Sequence, residues 1–399
     1  MSLTNTPSAN RLHIGIYGKR NSGKSSLINA ITKQGVAVVS DVPGTTTDPV
    51  YKAMEIYGLG PCMLIDTAGF DDEGQLGDLR IEKTKAALRK TDVAIVLLSV
   101  GDPVMEREWI TELQKQKTPI VPVINKIDIR TESEITALKE TAKQLVQSDA
   151  VLVSARTGDG IEELKQAIMR VVPGDYEHKS ITGDMVTPND VVLLVMPQDI
   201  QAPKGRLILP QVQTIRDLLD NKCVVLCCTA DELDTALAAL VKPPKLIITD
   251  SQVFPLVYEK KPAESLLTSF SLVFAAYKGN LQSFVDGAAA IDRLNDNSRV
   301  LIAEACTHAP LEEDIGREKI PAMLRKRYGA NMQVDVVSGA DFPKDLSVYD
   351  LDIHCGACMF TRKHVLSRIR QAEEQGTAIT NYGVTLAKLA GILDKVHLG

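Results

Sequence analysis

Gly18-Lys19-Arg20-Asn21-Ser22-Gly23-Lys24-Ser25 follows the apolar run Leu12 to Tyr17 and precedes a helix-capable run, Ser26 to Ile31. The octet matches G-x-x-x-x-G-K-[ST] in the strand–turn–helix context that the motif requires. Glycines at both ends of such a turn let successive backbone N–H groups and a helix N-terminus close around a polyphosphate. Lys24 would reach the outer phosphates, and the Ser25 hydroxyl would take one position on Mg2+.

Working outward, the chain from Leu12 to about Val172 alternates short apolar runs with longer amphipathic ones, the pattern of an α/β sheet with covering helices. Strands are expected at Leu12–Tyr17, Ala53–Ile56, Cys62–Ile65, Val93–Ser99, Ile120–Ile124 and Ala150–Val153. Helices are expected at Lys24–Thr32, Gly77–Arg89, Met105–Gln116, Glu132–Leu145 and Ile161–Arg170. Each polar motif comes off a strand, where α/β sheets bind their ligands. Asp66-Thr67-Ala68-Gly69 offers a carboxylate that can hold Mg2+ through water and an amide, on Gly69, that can sense a terminal phosphate. Asn125-Lys126-Ile127-Asp128 places a carboxylate that accepts two N–H donors from a guanine edge, which adenine cannot offer, and so selects GTP over ATP. Ser154-Ala155 supports that base.

These motifs together resemble the translation-factor-like GTPases, in the branch of tRNA-modification and ribosome-assembly enzymes. The resemblance implies that Asn21 helps hold K+ beside the phosphates, as in potassium-activated members. It also implies that Gly44-Thr45-Thr46-Thr47-Asp48 is the first switch, with Thr46 the Mg2+ ligand and Thr45 one register away. On this reading the nucleotide is held by Gly18, Asn21, Ser22, Gly23, Lys24, Ser25, Ser26, Thr45, Thr46, Asp66, Gly69, Asn125, Lys126, Asp128, Ser154 and Ala155. Lys24, Thr46, Asp66 and Gly69 act in hydrolysis. Phe70 stands where Ras-like enzymes carry a water-positioning glutamine, and phenylalanine cannot orient water by hydrogen bonding. Slow intrinsic hydrolysis aided by K+ or a partner is one expectation. Simple packing of the switch by Phe70, with another group positioning water, is the other.

Composition bounds the rest. With 399 residues the chain can bury several cores, and 44% hydrophobic and 24% charged residues describe an ordinary globular protein. A net charge of −6 and 4% aromatics argue against a nucleic-acid-holding protein, so no nucleic-acid partner is expected. No run approaches a membrane span, and Met1 to Arg11 is polar, so a cytoplasmic protein is expected with residues 1–11 as a flexible N-terminus. The GTPase domain is assigned to 12–173 and a linker to 174–190.

A second α/β unit, 191–265, shows strand-like Val191–Met196, Cys223–Cys228 and Leu246–Thr249, with helical Ile208–Asp220 and Asp231–Val241. It carries no catalytic or ligand cluster, so it is read as surface and geometry for a subunit interface. Lys204 and Arg206 form a charged turn. Residues 266–399 form a third α/β unit: helices Leu281–Leu294, Ile315–Arg327, Thr361–Glu374 and Val384–Val396, and strands Arg299–Ala303, Met332–Val337, Val348–Ile353 and Ala378–Thr380. The fold class is therefore α/β, a P-loop GTPase domain followed by two smaller α/β domains.

Of seven cysteines, Cys62, Cys223, Cys227 and Cys228 sit in apolar runs and read as small buried hydrophobes. The other three sit just past strands: Cys306-Thr307-His308 and His354-Cys355-Gly356-Ala357-Cys358. Three thiols and two imidazoles can thus converge on one rim, with Gly356 and Ala357 small enough for a tight turn or a bulky centre. A structural Zn2+ site, a Cys355/Cys358 redox pair and an iron-sulfur cluster on three cysteines all remain open on this arithmetic.

Cys306-x-His308, 45 residues, then His354-Cys355-x-x-Cys358 resembles the signature of the FeFe-hydrogenase maturation GTPases. Leu311 to Arg317, Thr380 to Val384 and Ala202 to Arg206 resemble that family too. The resemblance implies a central dimerisation domain, a C-terminal 4Fe-4S domain and a homodimer or larger homo-oligomer. It implies a scaffold that receives the transient diiron precursor with two radical-SAM maturases and passes it to apo-hydrogenase. Cys306, Cys355 and Cys358 would carry the cluster, with His308 or His354 as exchangeable fourth ligand. Glu304, Glu312 or Asp314 would serve should neither imidazole reach, and either histidine could instead orient the site from behind. Two rivals are a tRNA-modification or ribosome-assembly GTPase with a structural zinc domain, and a GTP-regulated redox enzyme.

Overall fold

Six consecutive buried residues, Leu12–Tyr17, form β1, the central strand from which the first sheet extends both ways. The structure is a computed structural model that describes residues 8–33, 38–42, 50–56, 59–67, 87–172, 180–197, 207–305, 314–339, 341–357 and 359–398. It divides into two compact units, Met1–Glu177 and His178–Gly399.

In the first unit β2 (Val38–Val42), β3 (Val50–Ile56), β4 (Gly60–Asp66), β5 (Val93–Leu97), β6 (Ile120–Ile124) and β7 (Val151–Leu152) join β1 in the order β2-β3-β4-β1-β5-β6-β7. β1 runs parallel to β4 and β5, and β6 and β7 continue the parallel run, while β2 and β3 are antiparallel additions. Burial on both faces explains why β5 reads as an unbroken apolar run and β1 as one interrupted only by His13. All ligand motifs therefore leave the same edge of the sheet. Helix Glu132–Val146 starts where Thr131 and Glu134 cap each other reciprocally, a device worth about 1 kcal/mol. The N-terminus read as flexible is, from Ser8 on, a 3-10 turn with Ala9 and Arg11 buried, and the His13 ring bonds back to the Ser8 carbonyl at 3.1 Å.

The second unit holds two four-stranded parallel sheets. One orders as β11-β10-β8-β9, from β8 (Val191–Val195), β9 (Val224–Cys228), β10 (Leu246–Thr249) and β11 (Leu266–Ser269). The other orders as β13-β12-β14-β15, from β12 (Arg299–Glu304), β13 (Gln333–Ser338), β14 (Leu351–His354) and β15 (Ile379–Asn381). β11 follows the boundary expected at 265 yet belongs to the first of these sheets. Helix Phe270–Lys278 joins them: Val273 and Phe274 share a core with Val192, Leu194 and Ile248, and Leu272 and Ala275 belong to the core that continues to Leu301 and Ile353.

Two expectations are corrected here. Ser180–Asp190 is not linker, because the Asp217 carboxylate accepts hydrogen bonds from the Ile181 and Thr182 amides and the Ser180 and Thr182 hydroxyls, while Ile181, Met185 and Val186 enter the core. Cys62 and Cys223 are buried as expected, but Cys227 is exposed and Cys228 half-buried, since β9 is an edge strand. Ala202 to Arg206 lies outside the described residues. No described helix is long and apolar enough to cross a membrane.

Candidate functional site

The nucleotide site is built by four loops at the C-terminal ends of β1, β4, β6 and β7. Lys24, buried at the start of helix Lys24–Lys33, donates to the carbonyls of Gly18 (2.7 Å) and Lys19 (3.0 Å), so its ammonium already lies inside the loop it would share with phosphates. Ser25 Oγ donates to Asp66 Oδ2 at 2.7 Å: the two groups expected to share one Mg2+ shell meet directly. Burial pushes the Asp66 carboxyl above its usual range, and the Ser25 hydroxyl and Lys24 partly offset this.

Asn125 ties the base-binding and phosphate-binding loops together. Its Nδ2 donates to the Ser22 carbonyl (3.1 Å), while its Oδ1 accepts from the amides of Lys126 (2.8 Å) and Ala155 (3.1 Å). Lys126 Nζ adds a bond to the Asn21 carbonyl at 2.6 Å. Asn21, with φ of 60°, and Gly23, with φ of 94°, supply the left-handed bends of the loop. Asp128 accepts from Ser154 Oγ at 2.6 Å, and this bond holds its carboxyl below the usual range. A cleft of about 630 Å3 is lined by Gly23, Ser26, Asn125, Asp128 and Ala155 among others. Thr45, Thr46, Gly69 and Phe70 lie outside the described residues.

Arg156 is the residue that sequence reading missed. Its Nη2 lies 2.7 Å from Asp128 Oδ2, where the donors of a guanine edge are expected, and it lines the cleft. A basic residue directly after Ser154-Ala155 was the available signal. Because its side chain is 74% exposed, the pair contributes little, about 0–1 kcal/mol. Arg156→Ala is accordingly expected to leave GDP affinity within about fivefold of wild type, or tighten it, in a fluorescent-nucleotide titration.

The second set of residues lies at the C-terminal edge of the last sheet. Ala303 pairs with His354 across β12 and β14, so the chain leaves both strands side by side. Cys355 Sγ accepts from the Ala305 amide at 3.0 Å and the Ala357 amide at 3.4 Å, and Cys355 N–H donates to the Ala303 carbonyl at 2.9 Å. Ala357, at φ of 52°, makes the left-handed bend before residue 358, and a Cβ added at Gly356 would meet nothing within 4 Å among the described residues. Two amides aimed at one sulfur fit a thiolate bound to a metal centre. Cys306, His308, Glu312 and Cys358 lie outside the described residues. No metal-binding group of three His, Cys, Asp or Glu forms among the described residues.

His354 is fully buried and has both ring nitrogens engaged: Nδ1 with the Cys355 carbonyl (2.9 Å), Nε2 with Arg368 Nη1 (2.9 Å). Accepting from a guanidinium at Nε2 leaves the proton on Nδ1, and burial with the Arg368 charge holds the imidazole down to about 3, hence neutral. In this structure His354 has no nitrogen to offer a metal and orients the Cys355 backbone instead. Asp314 Oδ1 is likewise occupied by the Gly316 and Arg317 amides (2.8 and 3.0 Å), and Glu304 Oε2 by Arg317 and Ser338.

Family models match the chain in three places: the hydrogen maturase F dimerization domain over residues 181–279, its tetramerization domain over 282–397, and a 50S ribosome-binding GTPase domain over 13–126. The two hydrogen maturase F domains together span more than half of the chain. This chain belongs to the HydF-type hydrogenase maturation GTPases. Both the dimerization and the tetramerization domain models of HydF match this one chain.

Among curated relatives of this HydF-type chain, GTPase Der of Wolinella succinogenes is 38% identical over 168 residues, 40% of this chain and 36% of its own. The tRNA modification GTPase MnmE of Latilactobacillus sakei is 31% identical over 191 residues, 47% of this chain and 40% of its own. The chain thus spans about two-fifths or less of the length of these relatives. The crystal structure of an Aquifex aeolicus Era variant bound to GDP and AlF4− superposes with a TM-score of 0.35 at 19% identity, covering 57% of this chain and 97% of that one.

Proposed function

We propose that this HydF-type protein is a GTP-hydrolysing scaffold that binds a 4Fe-4S cluster and carries the diiron precursor of the hydrogenase cofactor to apo-hydrogenase, working with two radical-SAM maturases in the cytoplasm. The observation that carries the proposal is the Cys355 thiol, held by two amides where the parallel strands β12 and β14 end side by side. Cys306, Cys355 and Cys358 would hold the cluster, which supplies an iron with one exchangeable place. His308 is the imidazole left for that place, because His354 is committed to Arg368 and its own neighbour's carbonyl.

In the first unit Lys24 and the loop amides hold the GTP phosphates, and Ser25, Thr46 and Asp66 share Mg2+. Asn21 would hold K+, which offsets the missing water-positioning group at Phe70. Turnover changes the order of the switch segments and so biases partner association, leaving the metal chemistry to the second unit. Equal maturase and hydrogenase affinities in GTP-loaded and GDP-loaded protein would sink that coupling.

Anaerobic reconstitution followed by iron and sulfide analysis and EPR tests the cluster. Wild type is expected to hold about four irons and four sulfides per chain, as a 4Fe-4S centre requires, and Cys355→Ser to lose most of both. Stoichiometric zinc without sulfide in wild type would reject the assignment.

A further inference from the structure

Each strand of the last sheet ends in a polar residue on the same rim. Register pairs Glu304 with Ser338 and Ala303 with His354, and His354 with Asn381, so Ser338, Glu304, Cys355 and Tyr382 follow one another across β13-β12-β14-β15. Three of these have partners. Glu304 Oε2 accepts from Arg317 (2.8 and 3.1 Å) and from Ser338 Oγ (3.0 Å), and Cys355 Sγ takes two amides.

The fourth does not. Tyr382 Oη is buried and has no hydrogen-bond partner among the described residues. Its backbone is fixed, because Asn381 caps helix Tyr382–Leu389 by accepting from the Val384 amide at 2.8 Å. Its hydroxyl is fixed too, lying so close over Gly316 that an added Cβ there would overlap it, while the same Cβ would stand 3.1 Å from Glu304 Oε1. The phenol tip is thus pinned beside the Glu304 carboxylate, on the rim that carries Cys355. A buried donor left unmade costs roughly 1–3 kcal/mol, so a hydroxyl held this firmly without an acceptor is built for one that arrives later.

We infer that Tyr382 is a positioning residue of the cluster site, its O–H donating a hydrogen bond to a cluster sulfur or to the anionic ligand at the exchangeable iron. This rests on the cluster reading above and adds a residue to it. Arg317 and Ser338 already donate to the Glu304 carboxylate, which is acceptor-only when ionised, so the Tyr382 O–H is the uncommitted donor of this set. A donor there stabilises the more negative, reduced cluster and any anion bound to iron.

Full-length Tyr382→Phe, reconstituted beside wild type, tests this, because phenylalanine keeps the ring and removes only the hydroxyl. Iron and sulfide content should match wild type, while the reduction potential moves to a more negative value and cyanide, used as the probe anion, binds about tenfold more weakly by EPR titration. Metal-free Tyr382→Phe should melt at or above the wild-type temperature, since no partner is lost; a purely structural hydroxyl would lower it. Unchanged potential and cyanide affinity would overturn the role of Tyr382 while leaving the cluster in place. Wild type without iron and sulfide would instead overturn the cluster reading, and this inference with it. Gly316→Ala, which crowds the hydroxyl without deleting it, is expected to shift the potential in the same direction.

Discussion

Replacing Gly23 by alanine is expected to lower GDP and GTP affinity about a hundredfold and to bring GTP hydrolysis below detection, with the circular dichroism of the protein unchanged. The residue sits at φ of 94°, where an alanine costs roughly 1–2 kcal/mol. Its new Cβ would also collide with Asn125 Nδ2 and push that amide off the Ser22 carbonyl. Leaving that buried pair unmade adds about 1–3 kcal/mol. Together these come to about 2–5 kcal/mol, a range whose middle exceeds the roughly 2.7 kcal/mol that a hundredfold change in affinity represents. Titration with a fluorescent GDP analogue checks the result, and affinity within threefold of wild type would show that the loop is not organised as described.

Arg368→Leu should destabilise the second unit by about 3–5 kcal/mol, the usual consequence of removing one partner from a buried charged network. Arg368 is 2% exposed, donates to His354 Nε2 and to the Gly339 carbonyl (2.6 Å), and lies between the Phe342 and Phe360 rings at 4.4 and 4.6 Å. It is also the cation that opposes the effect of burial on Asp352, whose carboxyl is pushed up to about 7 and whose oxygens have no hydrogen-bond partner among the described residues. The only tryptophan, Trp109, belongs to the first unit and provides an internal control. In urea, the fluorescence transition should stay in place while the circular dichroism transition gains an earlier phase. Coincident, unmoved transitions would refute the network's importance. Arg368→Lys should not restore stability, because a point charge cannot serve His354 and Gly339 with two fixed donors.

The sequence made the nucleotide site legible because its demands are local. A loop that must bend left-handed, approach phosphate and end in a cation leaves few residue choices, and each motif directly follows an apolar strand. Asn125 and Asp128 were readable for the same reason. Helix Phe270–Lys278 was not, since Phe270-Ser271-Leu272-Val273-Phe274-Ala275-Ala276-Tyr277-Lys278 is buried on most sides and lacks a polar stripe to reveal its period. Ser180–Asp190 looked like linker because its order comes from Asp217, a residue far along the chain. Arg368 and Tyr382 were invisible as site residues for that reason too: each acquires its role from a neighbour brought by the sheet rather than by the chain. His354 was legible as a residue of the sheet rim but its role was not, since that depends on what it meets behind the strand.

The parallel pairing of β12, β14 and β15 carries a consequence for how a newly made molecule matures. Residues 304, 355 and 382 come from strands that can pair only after long crossover segments have been synthesised and packed. A nascent chain still tethered at its C-terminal end presents Cys355 without Tyr382 and without the strand that closes its flank. On the cluster reading proposed above, metal acquisition would wait for β15 to pair, and a truncated product ending before β15 should emerge from translation with thiols but no competent harbour for them.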